Sequence, residues 1–295
     1  MKKWFKRIGI FVVALVLLVA CFLLYSYFIG ARGFVVVEET LAVPHWSPRL
    51  NGFRVVAIAD LHVGSNYAPP ERIRYVVEQA NAQNADLIVL LGDYVSEAKW
   101  DREFRQKPEG TDRTELRVPV DVIAENLKGL KAKYGVYAII GNHDWYHNDG
   151  KIHRMLEEIA GITVLHNEVV EIDAGGEKIR LWGIEDLYKN RSVPAEPFNA
   201  LAEKTNVIAL THNPDSLLSA PAGFSIMFSG HTHGGQLRWP IFGAKAVFND
   251  PRFMDGHAVV DDKHVYVTSG VGTSVIPFRF RVPPEIAVVT LNSTK

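Results

Sequence analysis

Five short polar runs follow apolar stretches: Asp60-Leu61-His62, Gly92-Asp93, Gly141-Asn142-His143-Asp144, Thr211-His212-Asn213 and Gly230-His231-Thr232-His233. Together they offer seven side chains able to ligate a metal: Asp60, His62, Asp93, Asn142, His212, His231 and His233. Carboxylates, imidazoles and one amide oxygen suit borderline or hard divalent ions such as Mn, Zn, Fe or Co, whereas a thiolate-selecting site needs cysteines. The chain has one cysteine, Cys21, within an apolar N-terminal run. Seven donors are too many for one tetrahedral zinc. Two ions sharing a bridging carboxylate would use them and keep positions for water and substrate. Two ions about 3.5 to 4 Å apart can clamp both the attacking and the leaving oxygen of an in-line displacement at phosphorus.

The elements that must position these donors are the apolar stretches themselves. Residues 53–59, 87–91, 136–140, 207–210 and 225–228 read as buried strands bounded by turn residues. Parallel α/β sheets bind ligands beyond the carboxyl ends of their strands, so donors distant in sequence can meet in one crevice there. An amphipathic stretch starts at Pro70 and runs to about Asn84, with Ile73, Val76, Val77 and Ala80 on one face. Residues 118–130 and 151–160 are similar. The later half is richer in strands, at 163–165, 169–173, 178–183, 257–260, 264–268 and 285–291. The expectation is an α/β fold with two sheets face to face and helices outside.

The order D-x-H, G-D, G-N-H-D, H, G-H-x-H, each after a strand-like run, resembles that of the calcineurin-like metallophosphoesterases from Phe53 to the C-terminus. One such motif alone would be weak; five in order are specific. The resemblance implies a four-layer sandwich of two mixed β-sheets flanked by helices, and two bound divalent ions, Mn, Zn or Fe. It implies Asp60, His62, Asp93 and His233 on the first ion and Asp93, Asn142, His212 and His231 on the second, with Asp93 as the bridge. It further implies that His143 protonates the leaving oxygen or stabilises charge on phosphorus, that Asp144 orients the His143 imidazole, and that a metal-bridging hydroxide is the nucleophile. Taken singly, each histidine reads as a capping or hydrogen-bonded residue and Asn142 as a turn residue after glycine. The joint spacing carries the assignment. His45, His147, His153, His166, His257 and His264 fit no ligand spacing and read as surface or packing residues.

The 295 residues are 47% hydrophobic and carry a formal net charge of −1, enough for one large core. No nucleic-acid partner is expected, because the near-neutral balance lacks a basic stripe. At the N-terminus, Lys2, Lys3, Lys6 and Arg7 precede residues 8–29, 22 residues without a charge. As a helix this run spans roughly 33 Å, close to a hydrocarbon core of about 30 Å. Residues 1–30 are therefore expected to be a single-pass signal anchor in the cell membrane. The alternatives are a cleaved signal peptide and a lipoprotein signal with Leu18-Val19-Ala20-Cys21 as its lipobox. The basic flank predicts an extracytoplasmic catalytic domain, although Arg32 and Arg49 weaken the asymmetry; association with the cytoplasmic face is the alternative. Residues 31–52 are expected to be a linker, with 42–52 a short tether, and 53–295 the catalytic domain.

Three other segments bear on substrate choice. Residues 97–117 carry 12 charges in 21 positions. They are expected to form a solvated loop near the site, with a substrate-facing cap as the other reading. Trp145-Tyr146 is read either as a pocket wall or as core. Gly270-Val271-Gly272-Thr273-Ser274, with Arg279 and Arg281, is expected to be a plain turn; a phosphate-binding loop is the alternative. The G-H-T-H-G-G-Q form and the anchor are similar to a membrane-associated bacterial branch of the family. That branch implies a membrane-bound phosphohydrolase that cleaves a phosphodiester or pyrophosphate bond. A lipid-linked or nucleotide-linked phosphoester such as UDP-2,3-diacylglucosamine is one candidate substrate. The competing expectations are a phosphoprotein phosphatase and a non-catalytic, membrane-tethered metal-binding module.

Overall fold

Strand periodicity divides the apolar residues between two faces. In β2 (Phe53–Ile58), Val55 and Ala57 pack between two sheets, while Val56 and Ile58 face helices. The same alternation recurs in the second sheet. Ile208 and Leu210 of β8 (Val207–Thr211) enter the space between the sheets, and Val207 and Ala209 face outward to Phe198, Leu217 and Phe224. The computed structural model describes residues 2–99, 103–239, 243–244 and 250–294.

The first sheet runs in the order β1-β12-β2-β3-β4-β5, with β1 Val35–Val43, β3 Leu87–Leu90, β4 Val136–Ala138, β5 Thr163–Val164 and β12 Glu285–Ser293. All neighbours are parallel except β12 and β2. The second runs β10-β11-β9-β8-β7-β6, with β6 Glu168–Ala174, β7 Glu177–Ile184, β9 Ile226–Ser229, β10 Gly256–Val260 and β11 Lys263–Val267. Its middle is parallel and its two outer pairings are antiparallel. Helices α2 (Pro70–Asn81), α3 (Val120–Leu127) and α5 (Asp149–Glu158) cover the first sheet through Ile73, Val76, Ile123, Leu127, Ile152 and Leu156. The architecture is the expected four-layer sandwich of two mixed sheets flanked by helices. Phe228, fully buried between the sheets, contributes about 1.5 to 3 kcal/mol through the area it removes from water.

Residues 31–52, expected to be a linker, are mostly built into the sandwich. β1 pairs in parallel with β12 from Val35↔Glu285 to Val43↔Ser293, and Leu41, Val43, Trp46 and Leu50 belong to the intersheet core. An edge strand with one face in water has little apolar content to announce it, and this one directly follows a stronger apolar signal.

Helix α1 (Lys2–Tyr25) continues into a wider turn over Ser26–Gly30; residues 3–30 are long and apolar enough to cross a membrane. Its first two-thirds is exposed, but its last turns are seated on the sandwich. Phe22 stacks on Trp239 with centroids 4.4 Å apart and meets Phe280 edge-on. The Arg279 amide donates to Ser26 O (3.1 Å), and the Asn66 amide group donates to Tyr27 O (3.0 Å). Gly30 lies so close to the Arg279 carbonyl that any Cβ there would collide with it.

Candidate active site

The strands end at one crevice, and their loops continue side by side. Beyond β2 and β3, the amides of Asp60 and His62 donate to the carbonyls of Gly92 and Asp93, each at 3.0 Å. Asp60 (φ 52°), His62 (φ 38°), Asp93 (φ 57°), His231 (φ 71°) and His233 (φ 51°) all adopt the left-handed backbone region. Non-glycine residues there carry strain that surrounding structure must hold, and such strain clusters at functional sites. Gly141 permits the close approach of the next loop: a Cβ at this position would strike the Asp93 carboxylate.

All seven predicted donors converge. Asp60, His62 and His233 form one group and Asp93, His212 and His231 another, with ligand atoms inside each group within 4.8 Å of one another. Asp93 Oδ2 is 3.4 Å from His62 Nε2 and 3.2 Å from His212 Nε2, so one oxygen adjoins both groups. Asn142 Oδ1 lies 3.1 Å from His212 Nε2. The Asp60 carboxylate accepts from the His231 amide at 3.0 Å.

The donor chemistry fits divalent cations. Burial, the largest influence on each, lowers His62 to about 4 and His231 to about 3 and holds His233 well below its ordinary range, leaving neutral imidazoles as ligation requires. His212 Nδ1 stands 2.7 Å from Leu91 O and so acts as the donor, which turns the Nε2 lone pair toward Asp93 Oδ2, Asn142 Oδ1 and His231 Nδ1, 3.1 to 3.2 Å away. Acceptors this close favour a positive charge among them. Burial alone would lower the His212 pKa, yet Asp93 and Asp60 raise it well above the usual value. Burial would likewise raise Asp93, but His212, His143 and His62 hold it well below the carboxylate range. Asp60 is pushed up to about 7 by burial, against the pull of His212.

His143 lies at the edge of this cluster, with its ring 4.9 Å from that of His62. The carboxylate facing it is Glu97, whose oxygens stand 2.9 and 3.0 Å from Nδ1. Asp144, expected to orient this imidazole, instead accepts the amides of Asp93 (2.8 Å), Tyr94 (2.9 Å), Val95 (3.3 Å) and Gly141 (3.0 Å). At the start of α4 (Asn142–His147) its short side chain turns back toward the helix N-terminus, where unpaired amides collect. Asp144 thus holds the Asp93 loop, and Glu97 aligns His143. Burial is the largest influence on His143 and lowers its pKa, but the charges of Asp93 and Glu97 prevail and raise it to about 9. Its Nε2 points to Ser274 Oγ at 3.3 Å.

Residues 97–117, apart from 100–102, which lie outside the described residues, are mostly exposed beside the site, as expected of a solvated loop, but are tied down at two points. Glu97 pairs with Leu116 in an antiparallel bridge, and buried Arg113 donates to the carbonyls of Trp145 and His147. Arg279 is buried as well, and its guanidinium donates to the carbonyls of Ser269, Gly270 and Gly272, with Nη2 3.4 Å from His233 Nδ1. The 270–274 segment is thus a turn clamped by arginine. Glu97 was hidden from sequence reasoning by its setting in a charge run, and Arg279 by a clamp that exists only after folding.

A cavity of about 1340 Å³ begins at His62, Glu97 and His143 and runs to Tyr27 and Phe28 at the end of the N-terminal helix. A second, of about 580 Å³, opens on the other side of the donor cluster beside Trp145, Tyr188 and Asn213.

Residues 53–235 match the family model of the calcineurin-like phosphoesterases; the chain belongs to that family and is a metal-dependent phosphoester hydrolase. It is 30% identical over 243 residues to "Phosphodiesterase YaeI" of Escherichia coli (strain K12), covering 81% of this chain and 82% of that protein. It is 29% identical over 278 residues to the metallophosphoesterase YkuE of Bacillus subtilis (strain 168), covering 92% and 90%. A "Transmembrane protein with metallophosphoesterase domain" of Danio rerio is 29% identical over 87% of this chain and 57% of that protein.

Proposed function

We propose that this chain is a membrane-anchored two-metal phosphohydrolase that cleaves a phosphodiester or pyrophosphate bond in a lipid-linked substrate. The observation that carries the two-metal reading is Asp93 Oδ2 between His62 Nε2 and His212 Nε2. One ion would be held by Asp60, His62, Asp93 and His233, the other by Asp93, Asn142, His212 and His231. When bound, such ions neutralise charge at phosphorus and lower the pKa of a coordinated water. His143 holds a proton at Nε2 for the leaving oxygen, and Glu97 keeps the ring aimed. A phosphodiesterase among the relatives supports diester cleavage.

The lipid-linked reading rests on the 1340 Å³ cavity, which joins His143 to the last turns of an apolar helix. Beside it, Val275 is 99% exposed and has φ 62°, a strained conformation that presents an apolar side chain outward near the expected bilayer surface. Full-length protein stripped with a chelator is expected to be inactive on bis-p-nitrophenyl phosphate and to recover with Mn. Failure to recover, with metal measured as bound, would favour a non-catalytic module; a preference for phosphopeptides over diesters would favour a protein phosphatase.

Lys2, Lys3, Lys6 and Arg7, in the first turns of α1 ahead of its uncharged run, support a domain outside the cytoplasm by the positive-inside bias. Protease added to intact spheroplasts should then digest the domain. Full protection until the membrane is permeabilised would reverse this orientation.

A further inference from the structure

The two cavities flank the donor cluster and differ in chemistry. The larger adjoins the His62 and His143 side and reaches the anchor. The smaller adjoins the His212 and His231 side: Asn213 follows His212, and the Tyr188 ring lies 5.6 Å from that of His231. Its wall carries five cations, Arg105, Lys107, Arg113, Lys189 and Arg191, against two acids, Glu109 and Asp215.

Three of those cations have work inside the fold. Lys189 pairs with Asp149 (2.7 Å) and Glu185 (2.8 Å), Arg113 donates to two carbonyls, and Lys107 donates to Arg113 O (2.7 Å). Among the described residues, the Arg105 and Arg191 side chains have no hydrogen bond or ion pair. Both are exposed, and neither has a carboxylate within 4.0 Å among the described residues. Arg105 lies over the rings of Phe104 at 5.5 Å and Trp145 at 5.9 Å, which keeps its side chain at the cavity wall. Arg191 is held in the left-handed region (φ 57°) at the end of the short helix Leu187–Asn190. Planar guanidinium groups match phosphate oxygens in pairs. A substrate with one phosphodiester and nothing beyond it would leave both unused.

We propose that the smaller cavity binds a second anionic group of phosphate type, carried by the polar head of a lipid whose scissile phosphorus lies between the two cavities. Arg105 and Arg191 are its principal contacts. This rests on the two-metal reading above and narrows it: the preferred substrate is an amphiphile with its apolar part on the anchor side and a multiply charged head on the other. Single phosphodiester lipids bind more weakly because they carry no group for the smaller cavity.

The test uses full-length, Mn-loaded protein in mixed micelles, with bis-p-nitrophenyl phosphate turnover as the signal. CDP-diacylglycerol, with two phosphates, and phosphatidylglycerol of the same acyl chains, with one, serve as competitors, so binding registers whether or not either is cleaved. The wild type is expected to prefer CDP-diacylglycerol by about tenfold or more, as bidentate contacts of this kind allow. Arg105→Glu/Arg191→Glu should abolish that preference, and Arg105→Lys/Arg191→Lys should keep part of it. Equal competition by both lipids in the wild type, or a preference that survives in the glutamate variant, overturns the proposal. Absence of any turnover by the Mn-loaded wild type would instead strike the two-metal reading itself.

Discussion

Asp93→Ala is expected to lower kcat/KM for a bis-aryl phosphodiester by roughly 10³-fold or more, since two cations together supply several kcal/mol of transition-state stabilisation. The carboxylate is 1% exposed, and one of its oxygens adjoins histidines of both donor groups. Its other oxygen accepts the His143 amide at 2.8 Å, so it also sets the first turn of α4. In the proposed arrangement, deleting it removes a ligand common to both ions and a support for the acid. Bound Mn should fall from two per chain to one or fewer in elemental analysis. A variant that keeps both ions and a tenth of its turnover would refute the bridging role.

His143→Ala is expected to cost about 10²- to 10⁴-fold in kcat, the usual range for losing a general acid. Glu97→Gln should produce a smaller loss, with Glu97→Asp restoring part of it. A pH profile separates alignment from simple structural damage. The negative charges of Asp93 and Glu97 keep His143 protonated against the effect of burial. Activity that needs this proton declines as pH rises through the His143 pKa, so removing the Glu97 charge should move the alkaline limb to lower pH. An unshifted limb with a normal profile shape would mean that Glu97 does not act through His143. Asp144→Asn should behave differently, reducing metal content through the Asp93 loop and leaving the limb in place.

The donors could be read from sequence because all but Asn142 follow a strand buried on both faces, and such strands appear as short unbroken apolar runs: residues 87–91 and 207–210 needed no partner to be recognised. The exposed half of β1 gave no such run, and only its pairing with β12 at the far end of the chain defines it. Glu97 was one charge among twelve. What singles it out is a loop closing through Leu116 and Arg113, an event of tertiary structure. Asp144 shows the complementary limit. Motif order brought it to the site, but only the helix geometry reveals that its oxygens face backbone amides and not a ring.

The seating of the last helical turns on Trp239, Phe280 and the Arg279 backbone means that the domain does not swing on a leash. With the helix anchored in a membrane as proposed, such a joint would make it a depth gauge: the metal centre would sit at a set height above the acyl chains, and substrates would be sorted by whether their scissile bond reaches it. On that reading a headgroup too short to bridge the height would escape cleavage however well its chemistry matches, and bilayer thickness would become a determinant of rate.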